Sequence, residues 1–190
     1  MSAFQLKHIP DRFMGFELDV VELSEQLGNE DLIDTLMYQP ASNESLLPYW
    51  GEVAYDFQSL SPTSKEIPDV SIWDISMLIL TKKAYEALGE HLAEDGEFLP
   101  ITANGQAMHV FNCLSFGAEN TALCETSYLN GLEDGLKTLA FDEADINARM
   151  VFKSKLEGCN RLYASSAFKD LCEKFGLEGL RFDEDLISIF

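Results

Sequence analysis

Apolar residues recur at two different periods along this chain, and the periods divide it into helices and strands. Between Glu22 and Met37 they fall at Leu23, Leu27, Leu32, Ile33 and Leu36, a helical spacing interrupted at Gly28-Asn29. The pattern predicts one helix or two short ones, with Ser24 as candidate N-cap. Gln39 to Glu44, which contains Pro40, reads as a loop. Alternation of Val53, Tyr55 and Phe57 predicts a strand. Ser59 to Pro68 reads as a second loop, broken by Pro62 and Pro68.

The middle of the chain is more regular. Ser76 to Leu80 is a continuous apolar run and predicts a buried strand. Thr81 then offers a hydroxyl to the free amides of a helix start. The helix is predicted over Lys82–Glu94, with Ala84, Tyr85, Leu88 and Leu92 as its inner stripe. Glu86, Glu90, His91 and Glu94 lie on its outer side, and Asp95-Gly96 ends it. Phe98 to Ile101 and Gln106 to Cys113 flank Thr102-Ala103-Asn104-Gly105. Asn-Gly favours the left-handed conformations of a tight turn, which predicts a hairpin.

Residues 114–136 show no clear period. Beyond them, Thr138–Phe141, Met150–Lys153 and Arg161–Ala164 read as short strands. Ser165 caps a predicted helix over Ser166–Phe175, with Phe168, Leu171, Cys172 and Phe175 inward. Lys174 suits the last turn, and Gly176 is the expected C-cap. Leu180–Phe182 is a last strand, followed by Asp183-Glu184-Asp185 and an apolar end, Leu186 to Phe190. The expected architecture is a single α+β domain with a central antiparallel or mixed sheet and flanking helices. Residues 1–68 form a less regular, acidic portion packed on an α+β core of residues 69–190.

Composition changes this picture mainly through charge. The chain has 190 residues, 46% of them apolar, enough for a real core. It carries 13 basic and 33 acidic side chains, a net charge of −20. Residues 1–60 hold 2 basic and 11 acidic groups, and residues 61–136 hold 3 and 12. Residues 137–190 hold 8 and 10 and are nearly neutral. A nucleic-acid ligand is disfavoured, since phosphate binding needs clustered Lys and Arg. No apolar run is long enough to span a bilayer, and an anionic surface is repelled by anionic lipid. The start, MSAFQLKHIPDRF, lacks a signal-peptide pattern, so the expected location is the cytoplasm. Cys113, Cys124, Cys159 and Cys172 form no CxxC pair and read as free thiols.

Candidate chemistry is sparse. His8, His91 and His109 are scattered, with no HExxH. His109 and Cys113 share a strand face at i and i+4. With Cys124 they suggest a zinc site, against the simpler reading of a strand histidine and core thiols. No GxxxxGK[ST], GxGxxG or GxSxG motif occurs. Asp142, Glu143 and Asp145 lack the spacing of a calcium loop and read as a solvated acidic turn. No catalytic, cofactor-binding or metal-binding residue is therefore assigned. Trp50 beside Glu52, and Trp73 beside Asp74, resemble aromatic anchors ringed by charge, as at interface centres. Core packing is the competing reading for each tryptophan. The candidate partner-binding set is Tyr49, Trp50, Glu52, Asp56, Trp73, Asp74, Glu94, Asp95 and Glu97.

Two longer stretches carry a resemblance. The first is DVSIWDISMLILTKKAYEALGEHLAEDGEFLPITANGQAMHVFNC, beginning at Asp69. It orders an apolar strand, a Thr cap, an Ala-and-Leu helix, Gly-Glu-x-Leu-Pro and a strand ending in Phe-Asn. The second is VFKSKLEGCNRLYASSAFKDLCEKFGLEGLRF, with a Phe-Lys strand, a Ser-capped helix and Gly-Leu-x-Gly-Leu-x-Phe. Over residues 69–182 the chain resembles immunity proteins of bacterial polymorphic-toxin systems, in the family built on the myxobacterial immunity-type domain. It departs from that family's pattern at LCETSYLNGLEDGLKTLAF. The resemblance implies a non-enzymatic protein that binds a toxin encoded beside it and spares the producing cell. The matched motifs are scaffold residues and carry no binding residues over.

The expected function is therefore to bind and neutralise a cognate effector with a basic surface. A nuclease delivered by a type VI or contact-dependent system fits, with its active site or substrate groove occluded. A secretion chaperone or adaptor, and a small hydrolase with an unrecognised site, are the alternatives. No oligomeric state is expected from the sequence.

Overall fold

A computed structural model describes residues 3–188. In chain order the elements are β1 (Ala3–His8), α1 (Val20–Gln26), α2 (Leu32–Ser42), β2 (Val70–Trp73), β3 (Met77–Leu80), α3 (Lys82–Leu92), β4 (Gly96–Ala103), β5 (Gln106–Cys113), β6 (Glu125–Leu129), β7 (Leu132–Thr138), α4 (Glu143–Ile146), β8 (Val151–Phe152), β9 (Tyr163–Ser165), α5 (Ser166–Lys174) and β10 (Leu180–Asp183). They form an α+β fold with antiparallel sheets ordered β2-β3-β5-β4, β10-β1-β9-β8 and β6-β7.

The β2-β3-β5-β4 sheet divides the interior, and β3 shows how. All four of its residues are buried, as expected for a strand covered on both faces. Successive side chains point to opposite faces. Met77 and Ile79, with Leu99, Ile101, Met108 and Val110, meet Phe16, Leu23, Leu36, Val53 and Phe57 from the N-terminal portion. Leu78 and Leu80, with Phe111 and Cys113, meet Leu88 and Leu92 of α3, Val151, Ala164 and Phe168. A third cluster holds Leu139, Phe141, Ile146, Phe152 and Tyr163.

Residues 3–68 are bound into the core at two places. β1 lies inside the second sheet, antiparallel to β10 and β9. α2 receives the ammonium of Lys153, which is fully buried. Its Nζ donates to the Pro40 carbonyl at 2.6 Å and to Asn43 Oδ1 at 2.5 Å. The last carbonyls of a helix carry negative partial charge, so a cation is favoured there. The Phe116 ring lies 5.0 Å away, and burial lowers the lysine's pKa.

Several local expectations are corrected. Asp19, not Ser24, caps α1, accepting from Val21 N and Glu22 N at 2.9 Å. Ser24 is buried, and its hydroxyl bonds to the Val21 carbonyl. The helix does break at Gly28-Asn29, but α2 then continues through Pro40 instead of yielding to a loop. Pro40 sits in the last turn, where its missing N–H removes one bond and disrupts nothing beyond it. Val53 to Phe57 forms no strand, only one bridge from Ala54 to Thr102. Thr102 exchanges bonds with Val53 O and Tyr55 N. The next outward position on β4 is Pro100, which has no N–H to extend the ladder.

Thr81 caps α3 as expected, its Oγ1 accepting from Ala84 N. Ser165 stands at the start of α5 without a capping bond. Asn104 and Gly105 take φ of 50° and 70° in the β4–β5 turn. β1, β2 and the β6–β7 hairpin were not expected. Gly179 is required where the chain crosses β2, because a Cβ there would meet the Val70 carbonyl oxygen at 2.2 Å. The apolar end expected over Leu186–Phe190 lies partly outside the described residues. Among the described residues, no helix is long and apolar enough to cross a membrane.

Candidate partner-binding surface

No Lys or Arg occurs from Phe13 to Ser64. The same stretch contains ten carboxylates between Glu17 and Asp56. Among the described residues, none of the ten lies within ion-pair distance of a Lys or Arg. The flanking cations turn elsewhere. Lys7 reaches Asp183 at 2.7 Å, and Arg12 reaches Glu66 at 2.9 Å and Glu178 at 2.8 Å. The negative potential over residues 17–56 is therefore uncompensated by neighbouring side chains. Tyr55 feels it: burial first, then Glu22, Glu17 and Asp19, push its phenol upward.

Backbone geometry presents these groups. The Asp19 carboxylate sits at the α1 N-terminus, where the helix dipole favours it. Asn29 Oδ1 accepts from Asp31 N at 3.1 Å and shapes the turn into α2. After α2, residues 44–57 are stitched along the outer edge of the β4–β5 hairpin. Gln26 Nε2 donates to the Ala54 carbonyl at 3.0 Å, and its Oε1 accepts from Ala54 N at 2.9 Å. Trp50 Nε1 donates to the Pro100 carbonyl at 2.9 Å. Asp56 Oδ1 accepts from Asn104 N at 2.6 Å, while Asn104 Oδ1 accepts from Phe57 N at 3.0 Å. A cleft of about 580 Å³ opens between this segment and the hairpin, lined by Gln26, Glu52, Val53, Pro100 and Thr102 among others.

Four of the nine expected residues come together here. Tyr49 is exposed and donates to Glu44 Oε1 at 2.8 Å. Trp50 is half-buried, and Glu52 and Asp56 are exposed. Asp74 occupies the β2–β3 turn at φ 52°. It shares a second cleft of about 270 Å³ with Asp19, Val20 and Leu36. It is exposed, yet the protein packed around it raises its carboxyl above the usual range. Glu94 is exposed just past α3.

The other three are corrected by burial. Trp73 is 3% exposed, packs edge-on to Phe16 at 5.3 Å and donates to the Leu18 carbonyl at 2.9 Å. Asp95 is buried and accepts from Met150 N at 2.6 Å. Glu97 is buried and accepts from Ser45 Oγ at 2.5 Å, Leu46 N at 2.7 Å and Asn112 Nδ2 at 2.9 Å. These carboxylates clamp chain segments together and present nothing to a partner. The sequence reading also passed over exposed Met37, Tyr38 and Leu47, and the acids of α1 and α2. The stretch free of Lys and Arg was the available signal for those acids.

The residues weighed for chemistry are occupied structurally. His109 stacks on Tyr85 at 3.7 Å. Burial pushes the thiols of Cys113 and Cys172 up to about 12, so neither is a thiolate nucleophile at neutral pH. Among the described residues, no group of three His, Cys, Asp or Glu is placed to hold a metal ion. Compared with known proteins, the chain matches no family model and no curated protein sequence.

Proposed function

We propose that this chain is an immunity protein that binds a cognate antibacterial effector and neutralises it by covering its active site or substrate groove. The observation that carries the proposal is the set of ten uncompensated carboxylates over residues 17–56, beside a cleft lined by Glu52 and Pro100. Such a surface suits a partner whose groove is lined by Lys and Arg, as the substrate groove of a nuclease is. Opposite fields steer the two proteins together, raising association towards about 10⁸–10⁹ M⁻¹s⁻¹ at low salt. The order of motifs over residues 69–182 supports the same reading, with the acidic surface carried on that scaffold.

The test is co-expression with the protein encoded by the adjacent gene. Rescue of growth, together with a complex that forms through the toxic domain, is the expected result. Absence of binding at micromolar concentration overturns the proposal. Binding confined to a loading segment of the effector replaces it with a chaperone.

A further inference from the structure

Among the described residues, the β6–β7 hairpin is a two-stranded sheet whose strands pair only with each other. Its base is anchored. Leu136 and Cys124 pack against the Leu139–Phe141 cluster. Thr138 Oγ1 donates to the Leu123 carbonyl at 3.1 Å, and Ala140 N donates to Cys124 Sγ at 3.3 Å. Its tip is not anchored. Asn130 and Gly131 turn the chain at φ 53° and 82°, which brings Leu129 opposite Leu132 and Tyr128 opposite Glu133. Tyr128 is 63% exposed, Leu129 60% and Leu132 75%. Leu129 and Leu132, paired across the turn, share one face of the tip, and Tyr128 lies on the other. From that position all three contribute little to folding, and large apolar side chains held out on both faces of one free tip mark it as a point of contact.

The chemistry of the tip selects its occupant. Register shifts at Glu125/Thr126 and Thr126/Tyr128 interrupt the ladder, and such bulges discourage strand addition along an edge. The side chains of the tip, not its backbone, are then the binding feature. A second copy of this chain is a poor match. Glu133 and Asp134 flank the tip, while Glu125, opposite Thr138 at the base, is paired with Lys137 at 2.8 Å. Two tips brought together would set carboxylate against carboxylate on molecules that each carry −20. We propose that the hairpin is an insertion element, whose Tyr128, Leu129 and Leu132 enter an apolar pocket of a partner protein rimmed by Lys or Arg. The inference rests on the immunity reading, and makes the hairpin a second contact with the effector besides residues 17–56.

The test uses the full chain and a triple variant, Tyr128→Ser with Leu129→Ser and Leu132→Ser. The probe is the purified protein encoded by the adjacent gene. The variant is expected to keep its Tm within about 2 °C, since the tip is exposed. It is expected to bind the probe at least about 100-fold more weakly, the scale of buried anchor residues at interfaces. Equal binding by wild type and variant overturns the hairpin's role and leaves the immunity reading standing. A Tm loss beyond about 5 °C assigns the tip to the fold and also overturns it. Absence of wild-type binding overturns the immunity reading, and the insertion element with it.

Discussion

Residues 17–56 and residues 137–188 are both rich in carboxylates, yet they use them in opposite ways. In the C-terminal stretch many of the acids meet cations: Asp145 with Arg149, Glu157 with Arg161, Glu173 with Lys169, Glu178 with Arg12, and Asp183 with Lys7 and Arg181. In the N-terminal stretch no Lys or Arg is present to meet them. Net charge alone does not separate these cases. The difference lies in whether each charge is neutralised within the fold or left facing outward. Only the second kind builds a field that another protein feels at a distance.

The sharpest way to break the comparison is through acids counted by sequence as surface. Glu97→Ala strands three donors, among them the Leu46 amide. Losing these charge-assisted bonds is expected to destabilise the fold by about 3 kcal/mol in denaturant titration. If Glu97→Ala leaves stability intact and weakens partner binding, the division between clamping and presenting acids fails.

Lys153 comes next, as the cation that reaches from just beyond β8 to the end of α2. Lys153→Met removes a desolvated charge but leaves the Pro40 carbonyl and Asn43 Oδ1 without their donor. A net loss of about 2 kcal/mol is expected. Faster hydrogen exchange in α2 than in α3 is the accompanying signature. Uniform exchange would show that α2 does not depend on this tie.

A smaller effect separates the paired region by pH. Hydrogen bonding to Arg149 holds the Asp145 carboxyl below its usual value near 3.8. A depressed carboxylate contributes stability above its unfolded pKa and loses it as pH falls through the folded value. Arg149→Met is therefore expected to cost about 0.5–1 kcal/mol at pH 7, given partial solvent screening. The variant and wild type should converge in stability as pH falls through that lowered value. A gap that persists there would assign the effect to lost packing.

The smallest effect is chemical. Cys124 is half-buried while Cys113, Cys159 and Cys172 are buried. One thiol is expected to react quickly with a thiol reagent in the native protein, and Cys124→Ser should abolish that phase.

The parts of this fold legible in the sequence are those where burial leaves a period. α3, α5 and the β4–β5 hairpin bury one face or carry Asn-Gly between apolar arms, so pattern and turn chemistry agree. The β6–β7 hairpin has the same Asn-Gly turn but buries almost nothing, and its strands show no alternation to read. β1 offers only Phe4 and Leu6, too short an alternation to stand out. The candidate surface was legible as charge along the chain, and Tyr49, Trp50, Glu52 and Asp56 do fall together on one segment. Burial of Trp73, Asp95 and Glu97 was not legible. The partners that bury them lie far along the chain: Leu18 for Trp73, Met150 for Asp95 and Leu46 for Glu97.

The most direct measurement is the association rate with the adjacent gene's protein as salt is varied, for two charge-neutralised variants. One carries Glu22→Gln, Glu25→Gln, Glu30→Gln, Asp34→Asn and Glu52→Gln. The other carries five exposed carboxylates of the second half neutralised, Glu143→Gln, Asp170→Asn, Glu178→Gln, Glu184→Gln and Asp185→Asn. The first is expected to associate about 10–100-fold more slowly at low salt and to lose most of its salt dependence. The second should stay within about 3-fold of wild type with its salt dependence intact. Equal slowing by both variants would mean that only total charge matters, and would contradict a partner-facing surface at residues 17–56.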